Sequence, residues 1–217
     1  MYLYLSFALT ICAGISFGYG LFRFFKDKSA LYVQMIVFGI GCAMLGRLFE
    51  SLLILVKGEL TGGFHVGMLG IIGSFLFFFS ANFGQMDSLV DDGSPKFRKV
   101  RIIALAAPLV VAACWILIVS LEGFNEATIS LGVVALFVAL ASYYHLKHLI
   151  IEDVSFGLIR SLRGYNLLSL VYALLCMLEV MVEGLPFFVT VIVCVLECGV
   201  LLVFVPVLER GVKKWTI

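Results

Sequence analysis

A helix that crosses a bilayer needs about 20 consecutive apolar residues. This 217-residue chain holds seven runs of that kind, at about 2–23, 30–56, 64–86, 101–121, 127–149, 164–183 and 186–208. The breaks between them are short: Lys26-Asp27-Lys28, Gly62-Gly63, Asp87 to Arg101, Glu122-Gly123-Phe124-Asn125, Glu152 to Arg163, and Gly184 before Pro186. With no water in the hydrocarbon, every backbone polar group of such runs must be paired internally, which leaves helices. The expected fold is therefore all-α: a polytopic membrane protein forming one seven-transmembrane helix bundle over 1–217. The second run exceeds what a perpendicular helix requires, so it is expected to tilt.

Composition agrees. The chain is 63% hydrophobic and 13% charged, against about 45–50% and about 25% in soluble domains. That excludes a soluble enzyme, a secreted disulfide scaffold and a nucleic-acid binder. A net charge of +1 offers nothing to a polyanion. The N-terminal Met-Tyr-Leu-Tyr-Leu-Ser lacks the basic stretch of a cleaved signal peptide and is read as the start of a retained first span.

Basic residues set the orientation, because Lys and Arg are retained on the cytoplasmic side. Thirteen of the 15 lie in alternate connections: Arg23, Lys26 and Lys28; Lys96, Arg98, Lys99 and Arg101; Lys147, Arg160 and Arg163; Arg210, Lys213 and Lys214. Lys57 is in an opposite loop and Arg47 is inside a span. The N-terminus is thus expected outside and the C-terminus inside. The basic fringe sets topology and attracts anionic lipid, and Asp87 to Pro95 reads as a solvated turn or a docking loop for a partner. Compact loops point to a bacterial cytoplasmic membrane.

Spans one to three and five to seven have similar lengths. Their first spans end in Tyr19-Gly-Leu-Phe-Arg-Phe-Phe-Lys and Tyr143-Tyr-His-Leu-Lys-His. This pattern admits a 3+1+3 parallel repeat, as in transporters with a site between two halves, and equally a seven-helix receptor. Thirteen of the 21 glycines lie between Gly14 and Gly84, including Gly14-x-x-x-Gly18. Such spacing lets helices approach closely, so spans one to three are expected to form the tight half.

Charges within hydrocarbon are expensive and are read as functional by default. Arg47 and Glu50 share one face of span two, Glu179 and Glu183 sit in the outer part of span six, Glu197 is near the centre of span seven, and His65 opens span three. Arg47, Glu50, Glu179 and Glu197 are the candidate ligand-binding residues, converging on an acidic cavity open to the outside. The structural alternative is an Arg47–Glu197 or Arg47–Glu179 pair that only joins helices. A net negative lining favours a proton, a cation or an amine; Arg47 adds a place for a substrate carboxylate, giving a zwitterion.

Other residues weigh less. Cys12, Cys42, Cys114, Cys176, Cys194 and Cys198 lie in apolar runs and read as packing. Cys194, Glu197 and Cys198 share a face without the partners of a metal site. His145 and His148 flank Lys147 at the inner end of span five and read as interfacial histidines. Ser80, Asn82, Gln85, Asp87, Asn166 and Gln34 either bond between helices or line an inner vestibule, so a through-pathway is permitted. No Gly-x-Ser-x-Gly or His-Glu-x-x-His motif occurs. Span seven has no Lys for a retinal Schiff base, and the Pro-Gln dipeptide of one seven-span transporter family is missing. No cofactor and no metal are expected. The sequence is consistent with a small-solute transporter or ligand-binding bundle rather than an enzyme, with a receptor-like or scaffold subunit acting through a protein partner at its inner loops as the alternative.

Overall fold

The computed structural model describes residues 2–25, 29–60, 63–87, 90–151, 158–181 and 186–215. Among these every regular element is helical. The helices are α1 (Tyr2–Phe24), α2 (Leu31–Lys57), α3 (Val66–Ser80, continuing as a π-helical turn Ala81–Asp87), α4 (Arg98–Ala104, entered through a 3-10 turn Pro95–Phe97), α5 (Ala106–Glu122), α6 (Glu126–Ile150), α7 (Leu158–Met181) and α8 (Phe187–Trp215). Because α4 and α5 act as one span, seven helices are long and apolar enough to cross a membrane.

The distribution of side chains is compatible with contact with a lipid bilayer. Leu109, Ile116, Val195 and Phe188 are exposed, whereas Glu197, His145, Asn166 and Ser169 are fully buried. A water-soluble protein would hide the first set and hydrate the second.

Local chemistry accounts for most boundaries. Gly58 closes α2 in the left-handed region (φ 86°), its N–H donating to Ile54 O. Asn125 starts α6 with a capping box: Thr128 N–H donates to Asn125 Oδ1 at 3.0 Å, and Asn125 N–H donates to Thr128 Oγ1 at 2.9 Å. Pro108 has no N–H to give Ala104 O, which explains the break between α4 and α5 at Leu105. Two helices differ from the sequence expectation. α7 starts at Leu158 rather than 164, and α8 runs past 208 to Trp215, where Glu209 and Lys213 pair at i, i+4 (2.7 Å). The expected end of span six at Glu183 lies outside the described residues.

Six helices pack side by side in the order α1, α2, α3, α6, α7, α8 and back to α1, and α5 lies outside them against α6 and α7. The fourth span is accordingly the least buried of the seven. Arg23, Arg101, Lys147, Arg163 and Arg210 mark one end of the bundle, the basic end. There Glu209 accepts from Tyr19 Oη (2.6 Å) and Arg23 Nε (2.5 Å), tying α1 to α8. Inside, Phe75 stacks on Tyr172 and Phe78 on Phe204, with Tyr165 edge-on to both Phe78 and Phe204.

The tight half is real, but Gly14-x-x-x-Gly18 does not make it. A Cβ at Gly18 would meet nothing within 4 Å. The close approach is α2 on α3: a Cβ on Gly70 would stand 2.4 Å from Gly46 Cα, and one on Gly46 would stand 2.6 Å from Gly67 O. Spacing alone identifies small residues without saying which of them face a neighbour.

Candidate functional site

Glycine contact between α2 and α3 positions the first two site residues. Arg47 follows Gly46, and Glu50 lies one turn on, beside Gly67, where a Cβ would be 2.6 Å from Glu50 Cγ. The bare backbone of α3 makes room for this carboxylate. On the other side of the bundle, α7 and α8 bring Glu179 and Glu197 to the same guanidinium.

All four sequence-predicted residues meet. Arg47 Nη1 donates to Glu50 Oε2 at 3.1 Å, and Nη2 donates to Glu179 Oε2 at 2.5 Å and to Glu197 Oε1 at 2.7 Å. The cluster is ion-paired and largely enclosed. Glu197 is 0% exposed, and Glu179, at 29% of its side chain, is the opening edge. Ser51 Oγ, within hydrogen-bond distance of Ser6 Oγ (2.7 Å) and Thr10 Oγ1 (3.0 Å), also donates to Arg47 O at 2.8 Å, which fixes α1 against the site. His65 stands across Gly67 from Glu50 and stacks on Phe49. Glu183 lies outside the described residues.

The charges do not cancel. One guanidinium faces three carboxylates, and within low dielectric an unbalanced charge is costly. Two polar atoms are left buried without partners, Arg47 Nε and Glu197 Oε2. A simple structural pair would use one carboxylate.

A second polar network lies toward the basic end, and here the sequence reading needs correction. His145 and His148 are not interfacial: both are fully buried. Asn82 Nδ2 approaches His145 Nδ1 at 2.7 Å and donates to Asn166 Oδ1 at 3.1 Å, and Asn82 Oδ1 lies 3.3 Å from His148 Nδ1. His148 Nε2 is 3.1 Å from Asp87 Oδ1. Lys147, expected in a solvated fringe, is also buried, its Nζ at 2.6 Å from Asp87 Oδ1 and 2.7 Å from Asp91 Oδ2. Nor is the acidic stretch merely a solvated turn, since Asp91 is turned inward and also accepts from Arg101 Nε at 2.9 Å. The π-helical turn after α3 carries both Asn82 and Asp87, and such turns recur at functional positions. Burial opposes ionisation of Asp87, but hydrogen bonds from His148 and Lys147 outweigh it and hold the carboxyl below the usual range. Asp91 is held low in the same way, burial being outweighed by Lys147, the Gly93 N–H and Arg101.

Sequence reasoning passed over Ser169, Tyr172 and Cys176, which are buried on α7 between the two networks. Their 3–4 residue spacing from Asn166 to Glu179 was the available signal, masked by the ordinary reading of Ser, Tyr and Cys as packing. In comparisons with protein-family models, curated proteins and solved structures, nothing matches the chain.

Proposed function

We propose that this protein is an integral membrane transporter or ligand-binding bundle that takes a small cationic or zwitterionic solute at Arg47, Glu50, Glu179 and Glu197. The observation that carries the reading is the excess of carboxylate: three Glu on one Arg, with Glu197 Oε2 buried and unpartnered. An ammonium group entering past Glu179 would supply the missing positive charge and hydrogen bonds to Glu197 and Glu179. In a zwitterion the carboxylate would be met by the free Arg47 Nε. Protons on the excess carboxylates fill the same need when no solute is bound, so binding exchanges protons for solute.

The helix order supports a 3+1+3 arrangement. α1–α3 and α6–α8 lie side by side, α1 touches α8, α3 touches α6, and the fourth span stands outside. In that scheme α2 and α7 are counterparts, and they face each other through Arg47 and Glu179. With the basic end inward, the cluster faces outward, in the bacterial cytoplasmic membrane that the compact loops suit. Of the two inner loops on which the partner-docking alternative depends, 87–101 turns Asp91 to Lys147 and Arg101, and 152–163 lies largely outside the described residues; we favour solute binding.

The test is the melting midpoint of detergent-solubilised protein against spermidine, choline, lysine and glutamate. A ligand that binds only the folded state at about 100 times its Kd adds about 2.7 kcal/mol. We expect at least one solute to raise the wild-type midpoint and to leave Glu197→Gln unmoved. A wild type that responds to none of them, or an undiminished response in Glu197→Gln, overturns the reading.

A further inference from the structure

Between the two networks α7 carries Asn166, Ser169, Tyr172, Cys176 and Glu179, each three or four residues from the last, so they form one stripe along the helix. Asn166 and Ser169 are fully buried, and Tyr172 and Cys176 are nearly so. Polar side chains in lipid turn toward the bundle interior, and here they do so in one unbroken line. At about 1.5 Å per residue the stripe is about 20 Å long, most of a hydrocarbon core of about 30 Å.

The stripe is polar but unsatisfied. Asn166 Nδ2, His145 Nε2 at the basic end and Glu197 Oε2 at the other have no hydrogen-bond partner among protein atoms, and Ser169 Oγ, Tyr165 Oη and Tyr172 Oη make no hydrogen bond of good geometry. Ser169 lies within weak hydrogen-bonding reach of Tyr165, and Cys176 of Tyr172, so neighbouring groups along the stripe are linked in pairs. Buried polar groups are almost always hydrogen-bonded to protein or to water. A file of such groups, each able to hold a water, is what a chain of bridging waters needs. The rings of Phe75, Phe78 and Phe204 pack against Tyr172 and Tyr165.

Both ends reach groups that take and release protons. At one end is the partly exposed Glu179 beside Glu197. At the other, Asn166 joins Asn82 and His145, Asn82 joins His148, and His148 joins Asp87, whose side chain is 16% exposed. His148 has an oxygen at each ring nitrogen, Asn82 Oδ1 and Asp87 Oδ1. The amide oxygen has no proton to give, so the proton reaches His148 from water in the file, and a neutral imidazole, which donates through one nitrogen only, then releases one to Asp87.

We propose that the α7 stripe, with the water it holds, is a proton path joining the Arg47–Glu50–Glu179–Glu197 cluster to His148 and Asp87. A proton binds a carboxylate oxygen of Glu179 or Glu197, each hydroxyl, water or imidazole along the file accepts one proton and releases another, and one leaves from His148 or Asp87. Every group ends as it began, one proton has crossed, and the transmembrane gradient drives it. The path shares the outer cluster with the proposed solute site but does not require a solute.

The experiment reconstitutes full-length protein in phosphatidylethanolamine–phosphatidylglycerol vesicles with pyranine trapped inside and a potassium–valinomycin potential imposed. Wild type is expected to acidify or alkalinise the lumen several-fold faster than empty vesicles. Ser169→Ala with Tyr172→Phe should cut that excess at least fivefold. Ser142→Ala, a buried unpartnered serine beside the apolar cavity of about 240 Å³ lined by Val110, Cys114 and Met177, should leave it intact. A wild-type rate equal to empty vesicles, or an unchanged rate in the double variant, overturns the path. Water-edited solid-state NMR in the same vesicles gives a second reading: magnetisation from water should reach Tyr172 Cζ and Ser169 Cβ about as fast as Glu179, and dry signals there overturn it. Absent flux with a solute-induced melting shift intact defeats the path alone; flux without any such shift defeats the solute site alone.

Discussion

Arg47 Nη2 and Glu197 Oε1 stand 2.7 Å apart, joining α2 to α8 across the six packed helices, with the glutamate wholly buried. The pair is asymmetric because Arg47 also serves Glu50 and Glu179. Removing the arginine leaves three carboxylates without their cation, a loss on the order of 3–5 kcal/mol. Removing one carboxylate relieves an excess. Arg47→Met should therefore lower the melting midpoint steeply or prevent accumulation of folded protein, whereas Glu197→Gln should hold or raise it, since sites kept for function often sacrifice stability. A steep fall in Glu197→Gln would assign Glu197 to structure alone.

Those four residues were legible in the sequence because charge in hydrocarbon is too costly to be incidental. The second network was not. His145, Lys147 and His148 sit at the end of an apolar run, where basic residues ordinarily meet lipid headgroups, and nothing in the spacing announces that the segment after α3 folds back over them. What covers them is a π-helical turn and an inward Asp91, both consequences of tertiary packing. The glycines failed in the same way: Gly46 and Gly70 make the contact, and Gly18 faces open space. Composition shows that seven helices are long and apolar enough to cross a membrane, but which face of each meets a neighbour depends on the neighbours.

The basic-end network should make stability depend on acid. Asp87 and Asp91 have folded pKa values below their ordinary ones, facing Lys147, His148 and Arg101. A lowered carboxyl contributes stability above the unfolded pKa, near pH 4, and loses it as pH falls through the folded value. The melting midpoint should thus change little on this account between pH 8 and 5 and fall below about pH 4. Asp87→Asn should cost about 1–2 kcal/mol at neutral pH, because Lys147 keeps Asp91. The double variant with Asp91→Asn, which strands the buried ammonium, should cost about 3–5 kcal/mol and flatten the acid fall. Midpoints measured from pH 3 to 8 in one detergent decide this.

Contact between α2 and α3 gives a steric prediction. A methyl on Gly70 would lie 2.4 Å from Gly46 Cα and 2.7 Å from Cys42 O. Both are backbone atoms, so the helices must separate. Gly70→Ala should cost about 1–3 kcal/mol and weaken any solute-induced shift, since Arg47 and Glu50 ride on that contact. Gly18→Ala, which meets nothing, should leave both unchanged. Equal midpoints for the two variants would remove the glycine contact as the element that positions the site.

Exposure orders the carboxyls chemically. Dicyclohexylcarbodiimide enters from lipid and couples only to a carboxyl that carries a proton, leaving a stable acylurea that mass spectrometry localises. Glu179 has 29% of its side chain exposed and Glu197 has none, while the two-charge excess over Arg47 requires protons or cations in the cluster. Label should therefore appear on Glu179 well before Glu197, and a solute that binds the site should slow it by filling the place of those protons. Glu179→Gln should abolish the label without transferring it to Glu197, because the buried carboxyl stays out of reach. Unlabelled Glu179 in folded wild type would mean that Glu179 keeps its charge beside Arg47 and the excess is met at Glu50 or Glu197, and label on Glu197 first would mean that the bundle opens along α8 rather than beside α7.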